Sequence, residues 1–400
     1  MTDPTKPLTG IRVLDLTNVL AGPFACHQLA HLGAEVIKVE TVDRGDLARQ
    51  LGADPALNAK GMGVSFLAQN AGKKSVTLNL KHARGKQLLK ELVKTADVLV
   101  ENFRPGVMDR LALGPDVLRA ENPALIYCAI SGFGQDGPWV ARPAYDQIIQ
   151  GLSGIMSITG DSDSAPLRVG YPIADTIGGL TAAMAILAAL NAPVRGAVID
   201  VSMLEAVLAT MGWAVSNHLI AGVAPTANGN ENLTSAPSGT FHCQGGLINI
   251  AANKDEQWEI LATDLGLAHL ITDPAYLTRE DRKANRYALR DLIEGQLAHQ
   301  TANDWADQLN ALGIPCGAVL SVPEVLDHPQ IADRGLVAEF DDVPGVDRPV
   351  RVLRPGLKID GAPARVENGP PELGQDNAAI YGALGLDAAE LIKLKKEGVI

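Results

Sequence analysis

Short runs of consecutive apolar residues alternate, along the first third of the chain, with stretches whose apolar positions recur every three to four residues. Ile11–Leu16 reads as a buried strand, Thr17–Pro23 as a loop, Phe24–Leu32 as a helix closed by Gly33, and Glu35–Val39 as a second strand. The pattern repeats with a strand over Ser75–Leu80, a helix over Arg84–Thr95 and a strand over Asp97–Val100. A short helical stretch, Pro115–Glu121, leads to a strand over Leu125–Ile130. Strands that alternate with helices in this way predict an α/β fold, a parallel sheet with helices on both faces.

The pattern then changes. Gly151–Gly222 reads as mainly helical, broken by the strand-like Ala197–Val201, and the Thr, Asn, Pro, Ser and Gly residues of Ala224–Gly239 read as a linker. Beyond it come a strand over Leu247–Ala251, helices over Glu256–Leu265, Asn285–His299 and Ala302–Leu312, Gly313 as a helix end, and a strand-like Gly317–Leu320. These form a second, smaller α+β unit. The tail from Leu336 carries several Pro-Gly turns and ends in a charged helix, Ala388–Glu397. The expected division is residues 1–222 as the first part of a large domain, 223–325 as the small domain and 326–400 as the C-terminal part.

Composition narrows the function. A chain of 400 residues with 46% hydrophobic and 20% charged residues is that of a soluble globular enzyme of two or three domains. A formal net charge of −12 argues against a nucleic-acid surface, so an anionic ligand would need a local basic cluster. Cys26, Cys128, Cys243 and Cys316 are far apart and fit a reducing compartment rather than a disulfide or zinc framework. The N-terminus has no apolar signal region, and Leu180–Leu190 and Ala206–Val215 are too short or too polar at their ends to span a bilayer, so a cytoplasmic location is expected.

Five features bear on chemistry. Asp175 immediately precedes an Ala-rich helical run, where unpaired N–H groups and the helix dipole favour a carboxylate. There it should stay ionised, with Gly178 and Gly179 letting a bulky ligand approach the backbone. Position alone leaves two roles open, a helix N-cap and a nucleophile for acyl chemistry. Gly132–Gly137 matches G-x-G-x-x-G after a strand, but Pro138 and Pro143 forbid the helix that a dinucleotide site needs, so a turn is the better reading. His27 and His31 share a helix face, yet Gln28 stands where a zinc-hydrolase motif needs Glu; they read as packing or surface residues. Cys316 has no neighbouring base and reads as a core cysteine. Lys73, Lys74, Lys81, Arg104 and Arg110 cluster around strand ends and, with Asn102 and Phe103, suit a nucleotide bearing phosphates.

Taken together, several blocks resemble the class III CoA-transferase family. They are Gly10–Leu16, Ala21–Pro23, Leu32–Glu40, Val100–Gly106, Gly313–Gly317, His328–Gln330 and Leu373–Gly374, so the resemblance runs nearly end to end. It implies a Rossmann-like large domain to which the C-terminal part returns, a small domain, and an interlocked homodimer of ring-like chains. It implies Asp175 as nucleophile and Asp146 as a supporting acid near it. CoA contacts are implied at Asn18, Val19, Leu20, Ala21, from Leu78 to Lys81, at Asn102, Phe103, Arg104 and Arg110, and at Tyr145.

The activity that follows is transfer of CoA from an acyl-CoA donor, by resemblance succinyl-CoA, to a small carboxylic or dicarboxylic acid. It would run through an aspartyl anhydride and an aspartyl-CoA thioester, with no metal or permanently bound cofactor. The related α-methylacyl-CoA racemases place a histidine where this chain has Tyr145, which removes one partner of a two-base proton transfer. Leu20 and Thr41 replace polar or basic contacts of oxalate-specific members, and Ser235–Gly239 stands where those carry a glycine-rich loop. Oxalate is therefore the less expected acceptor, and a nicotinamide-dependent dehydrogenase the remotest alternative.

Overall fold

The computed structural model describes residues 3–400. Six strands form one sheet: β1 (Arg12–Asp15), β2 (Glu35–Glu40), β3 (Lys73–Thr77), β4 (Val98–Glu101), β5 (Ile126–Ser131) and β6 (Ala197–Ser202). All neighbours pair in parallel, in the order 3-2-1-4-5-6. The order turns back between β1 and β4, and the loops leaving their carboxyl ends diverge there, which is where open α/β sheets hold ligands. The α/β class and the parallel sheet agree with the sequence pattern. β6, only strand-like in the sequence, is a full member of the sheet.

Contacts divide the chain into two compact units. The larger contains the residues up to Ile155, Arg168–Gly222 and Pro329–Ile400. Its main core packs Leu14, Ile37, Val76 and Leu99 of the sheet against Leu88, Leu89 and Leu92 of the helix Ala83–Val93 and against the buried Tyr381, Leu394, Val399 and Ile400 of the tail. The tail also closes the exposed edge of β3. Asp376 and Asn377 accept the Ser75 and Thr77 N–H groups at 2.8 Å each, and the Tyr381 hydroxyl donates to the Thr77 carbonyl at 2.8 Å. An edge strand satisfied in this way offers no free ladder for another chain.

The smaller unit contains Met156–Leu167 and Val223–His328. Strands Ser238–Cys243, Gly246–Ala251 and Cys316–Ala318 pair antiparallel around a core centred on Trp258, Leu261, Ile293 and Trp305. The linker-like stretch is irregular to Pro237, and its last two residues already belong to the first of these strands.

Boundaries move where local chemistry overrides periodicity. The first helix runs Ala21–His31, so the expected loop yields its last three residues to the helix, and Pro23 is accommodated in the first turn where its missing N–H costs nothing. The sequence pattern also missed the helices Val64–Asn70 and Asp146–Leu152, both short, and the hairpin Val337–Phe340 with Val350–Leu353. The Ala-rich helix, expected just after Asp175, begins ahead of that residue and spans Ile173–Leu190. At 18 residues and a mean hydropathy of 1.8 it is long and apolar enough to cross a membrane by length and composition. Here it packs on the helix Ala21–His31 and on β5 and β6.

Candidate active site

The helix Ile173–Leu190 starts at Pro172, which has no side-chain oxygen with which to cap it. Its orphan amides are met from elsewhere. Asp146, first residue of the helix Asp146–Leu152, accepts from the Ala174 N–H at 2.8 Å and from the Asp175 N–H at 3.4 Å. Asp175 is thus not the cap but a residue of the first turn, and a carboxylate 29 positions earlier fills the cap role. Its own carboxyl group is left free of that duty.

Asp146 is nearly buried and held on its other oxygen by Gln150, whose amide donates at 2.7 Å. Gln150 is wholly buried and ties the assembly to the preceding loop, accepting from the Val169 N–H at 2.9 Å and donating to the Tyr171 carbonyl at 3.3 Å. Two carboxyls this close, with one mostly screened from water, cannot both hold a proton-free charge cheaply. Burial first, and the Asp146 charge second, push Asp175 up to about 7. Burial thus opposes the helix dipole and amides that were expected to keep Asp175 ionised.

The glycines after Asp175 also serve another purpose than expected. A Cβ on Gly179 would lie 2.5 Å from the Ala21 carbonyl, and one on Gly178 would lie 2.8 Å from the Met203 side chain. They bring protein against protein, not ligand against backbone.

Opposite the helix lies the loop after β1. Val19 has φ +68°, a left-handed conformation rare for a β-branched residue. Its N–H is fixed by Asp46 Oδ1 at 2.9 Å, and the Thr17 carbonyl by Lys38 Nζ at 2.9 Å. Beneath the loop a fully buried set of charges is mutually neutralised: Lys38 with Asp46 at 2.9 Å and Lys73 with Asp15 at 2.8 Å. The lysines hold both carboxylates below the usual range against the opposing effect of burial. Asn18 and Asn102 then join the β1 and β4 loops reciprocally, the Asn18 N–H donating to Oδ1 at 2.8 Å and Nδ2 to the Asn18 carbonyl at 2.9 Å. Glu101 sets the next residue, accepting from the Phe103 N–H at 2.7 Å and from the Tyr127 hydroxyl at 3.1 Å. Burial raises Glu101 to about 7.

A cavity of about 570 Å³ brings Asp175, Asp146, Tyr145, Val19 and Leu20 together. Its far wall is the helix Val64–Asn70, contributing Val64, Ser65, Ala68 and Gln69, and Arg168 stands on its rim. Arg168, Gln150, Gln69 and Asp46 were not singled out in the sequence; isolated polar residues in loops and short helices carry no periodic signal. The remaining expected contacts lie outside the lining of this cavity. Ala21 is buried at a helix start, Leu78 is buried in the main core, and Phe103 packs partly against that core. Lys81, Arg104 and Arg110 are exposed, and the Arg110 guanidinium reaches to 3.0 Å from a Cβ position on Gly106.

The basic cluster is smaller than the sequence suggested. Lys73 and Lys74 begin β3, at the end opposite the ligand crevice, and pair with Asp15 and with Glu35 at 2.6 Å. Gly132–Gly137 forms turns in which Gly134 and Gly137 have positive φ, with no helix opening on them. His27 and His31 are buried against each other, ring nitrogens 3.1 Å apart.

A parallel α/β sheet with a carboxylate cavity at its ligand-binding end defines an enzyme class rather than a single substrate, and comparison with known proteins supplies the class. The sequence profile of CoA-transferase family III matches residues 8–377. The chain belongs to that family. It is 40% identical to the acetyl-CoA:oxalate CoA-transferase of Acetobacter aceti, over 92% of this chain and 97% of that protein. It is 35% identical to the succinate–glutarate CoA-transferase of Agrobacterium fabrum, over 96% and 97% of the two chains. Among solved structures, a CAIB/BAIF family protein from Brucella suis superposes with a TM-score of 0.82 at 34% identity, covering 95% of this chain and all of that one.

Proposed function

We propose that this CoA-transferase moves CoA from a short acyl-CoA donor, succinyl-CoA foremost, to a small carboxylic or dicarboxylic acid, with Asp175 as nucleophile. The observation that carries the reading is the Asp175 carboxyl itself. It faces a cavity with no capping duty and is perturbed to about 7 by burial and by Asp146, as a group poised for covalent chemistry would be. Ionised Asp175 attacks the thioester carbonyl, giving a mixed anhydride and CoA thiolate. The thiolate attacks the aspartyl carbonyl, forming an aspartyl-CoA thioester and releasing the donor acid. The acceptor carboxylate displaces the thiolate to give a second anhydride, and thiolate attack on the acceptor carbonyl yields the new acyl-CoA and free Asp175.

In this reading Asp146 is the positioning acid, Val19, Leu20 and Tyr145 flank the thioester, and the joined Asn18–Asn102 loops with Phe103 and Arg104 receive the rest of CoA. Lys81 and Arg110 continue that path, with the buried Ala21 and Leu78 behind it, and no permanently bound cofactor is required. The acceptor is left between classes by identity alone, since an oxalate-named relative is 40% identical and glutarate-named relatives 35% and 36%. The working form we propose is the interlocked homodimer, in the cytoplasm. Supporting the dimer, Trp213, Leu219 and Ile220 on the helix Gly212–Ala221 are 83%, 76% and 86% exposed, more apolar surface than a lone chain usually shows.

The test is trapping. Wild-type protein incubated with succinyl-CoA and then hydroxylamine or borohydride should be modified at Asp175, and Asp175→Ala should show neither adduct nor transfer while keeping its circular dichroism. Normal turnover by that variant would end the assignment. Rapid α-proton exchange on a branched acyl-CoA would favour the racemase chemistry instead.

A further inference from the structure

We infer that Arg168 anchors the far carboxylate of a short dicarboxylic acyl chain whose near carbonyl reacts at Asp175, so that this residue selects diacids over monoacids. The inference rests on the transferase reading above and assigns the substrate class to a residue.

Among the residues lining the Asp175 cavity, Arg168 is the one cation. Its contact with the nearest carboxylate, Asp146, is an ion pair without a hydrogen bond. Asp146 already accepts from Ala174 on one oxygen at 2.8 Å and from Gln150 on the other at 2.7 Å, whereas Arg168 Nη2 stands 3.7 Å away. That separation is too long for a hydrogen bond. The side chain is 51% exposed, so its planar fork of donors is open to a ligand carboxylate, for which a guanidinium is geometrically matched.

The rest of the cavity supplies the complementary parts. Leu20, Leu51, Val64 and Ala68 form an apolar wall suited to methylene groups, and Asp175 holds the reacting end. Two carboxylates at that end repel any approaching dianion. A monoacid presents its single charge where the nucleophile's chemistry consumes it; a diacid keeps a second charge that must be met by a cation or remain in water. Arg168 meets it. Because donor and acceptor acyl groups occupy the cavity in turn, the same anchor serves the succinyl end of a donor and the far end of an acceptor.

The experiment compares chains of equal length. Wild type, Arg168→Met and Arg168→Lys are assayed with succinyl-CoA and either glutarate or valerate, and separately with succinyl-CoA or butyryl-CoA as donor to a fixed monoacid. Where valerate transfers too slowly, its inhibition constant replaces kcat/KM. Losing a charge-assisted hydrogen bond to a guanidinium should lower the glutarate-to-valerate ratio about 10- to 100-fold in Arg168→Met, with a smaller fall in Arg168→Lys. The donor ratio should fall in parallel; a fall confined to one arm would assign the anchor to that substrate alone. An unchanged ratio, or equal loss with both acids, overturns the inference and leaves Arg168 as a support for Asp146. A wild type that transfers between no donor and acceptor would instead sink the transferase reading, and this inference with it.

Discussion

The Asp146 carboxylate receives the backbone N–H of Asp175, 29 residues downstream, and so closes the helix that carries the second carboxyl while raising its pKa. One side chain therefore helps set where Asp175 sits and adds to the burial that decides when it is charged.

The transfer rate should consequently rise with pH through about 7, as Asp175 loses its proton. Asp146→Asn keeps an oxygen for the helix amides but removes the neighbouring charge, so the acid limb should move to lower pH without reaching the value of a free carboxyl, because burial remains. A pH–rate profile between pH 5 and 9 for both proteins checks this. An acid limb at the same position in the variant would show that Asp146 does not tune Asp175.

Stability should respond in the opposite sense to that of most carboxylates. Asp175 and Glu101 are both raised to about 7 when folded. Folding then binds more protons than the unfolded chain does between the ordinary carboxyl range and pH 7, so each group costs stability as pH rises through that window, the cost being complete above it. Asp175→Asn should therefore stabilise the protein by about 1–3 kcal/mol at pH 8, after discounting for solvent in the cavity, and by much less at pH 4. Urea denaturation at the two pH values measures the difference, and an equal effect at both would contradict it.

Gln150→Leu removes the wholly buried partner of Asp146, Val169 and Tyr171 at once. Leaving those groups unsatisfied should cost about 2–4 kcal/mol. With Asp146 free to shift, kcat should fall about 10- to 100-fold, with little change in KM for the acyl-CoA. A raised KM at constant kcat would place Gln150 in binding instead.

Under the Val19 loop, Asp46→Ala would take the closer carboxylate from the buried Lys38, leaving it Asp15 at 3.9 Å, and release the Val19 N–H. Breaking one member of a buried ion pair should cost about 3–5 kcal/mol, read as a lower denaturation midpoint, and the relaxed loop should raise KM for CoA esters. The sign on pH follows from Asp15 and Asp46 being held low: their contribution is present near neutrality and lost as pH falls below the usual carboxylate range. A midpoint within error of wild type would refute this reading of the charge set.

The parallel sheet was legible because its strands are apolar runs, Ile11–Leu16 and Leu125–Ile130 among them, separated by periodic helices. Asp175 was visible because a helix start follows from the Ala-rich pattern. Its cap was not, since Asp146 lies in a short helix without amphipathic signature and acts across sequence distance. Lys73 shows the converse error: a lysine at a strand looks like a ligand cation until its partner, Asp15, is found 58 residues away at the same depth. Val19 gave no sign of its left-handed backbone, because a valine there is chosen against local preference and imposed by Asp46.

Gly179 leaves no room for a side chain against the Ala21 carbonyl, so the helix that carries Asp175 lies directly on the helix that follows the Val19 loop. A side chain at Gly179 would force those two helices apart, and with them Asp175 and the Val19 loop. Variation in the acid accepted must then be written on the facing helix, Val64–Asn70, and on the rim at Arg168. A library confined to those positions would explore acceptor range while leaving the acyl-transfer geometry untouched.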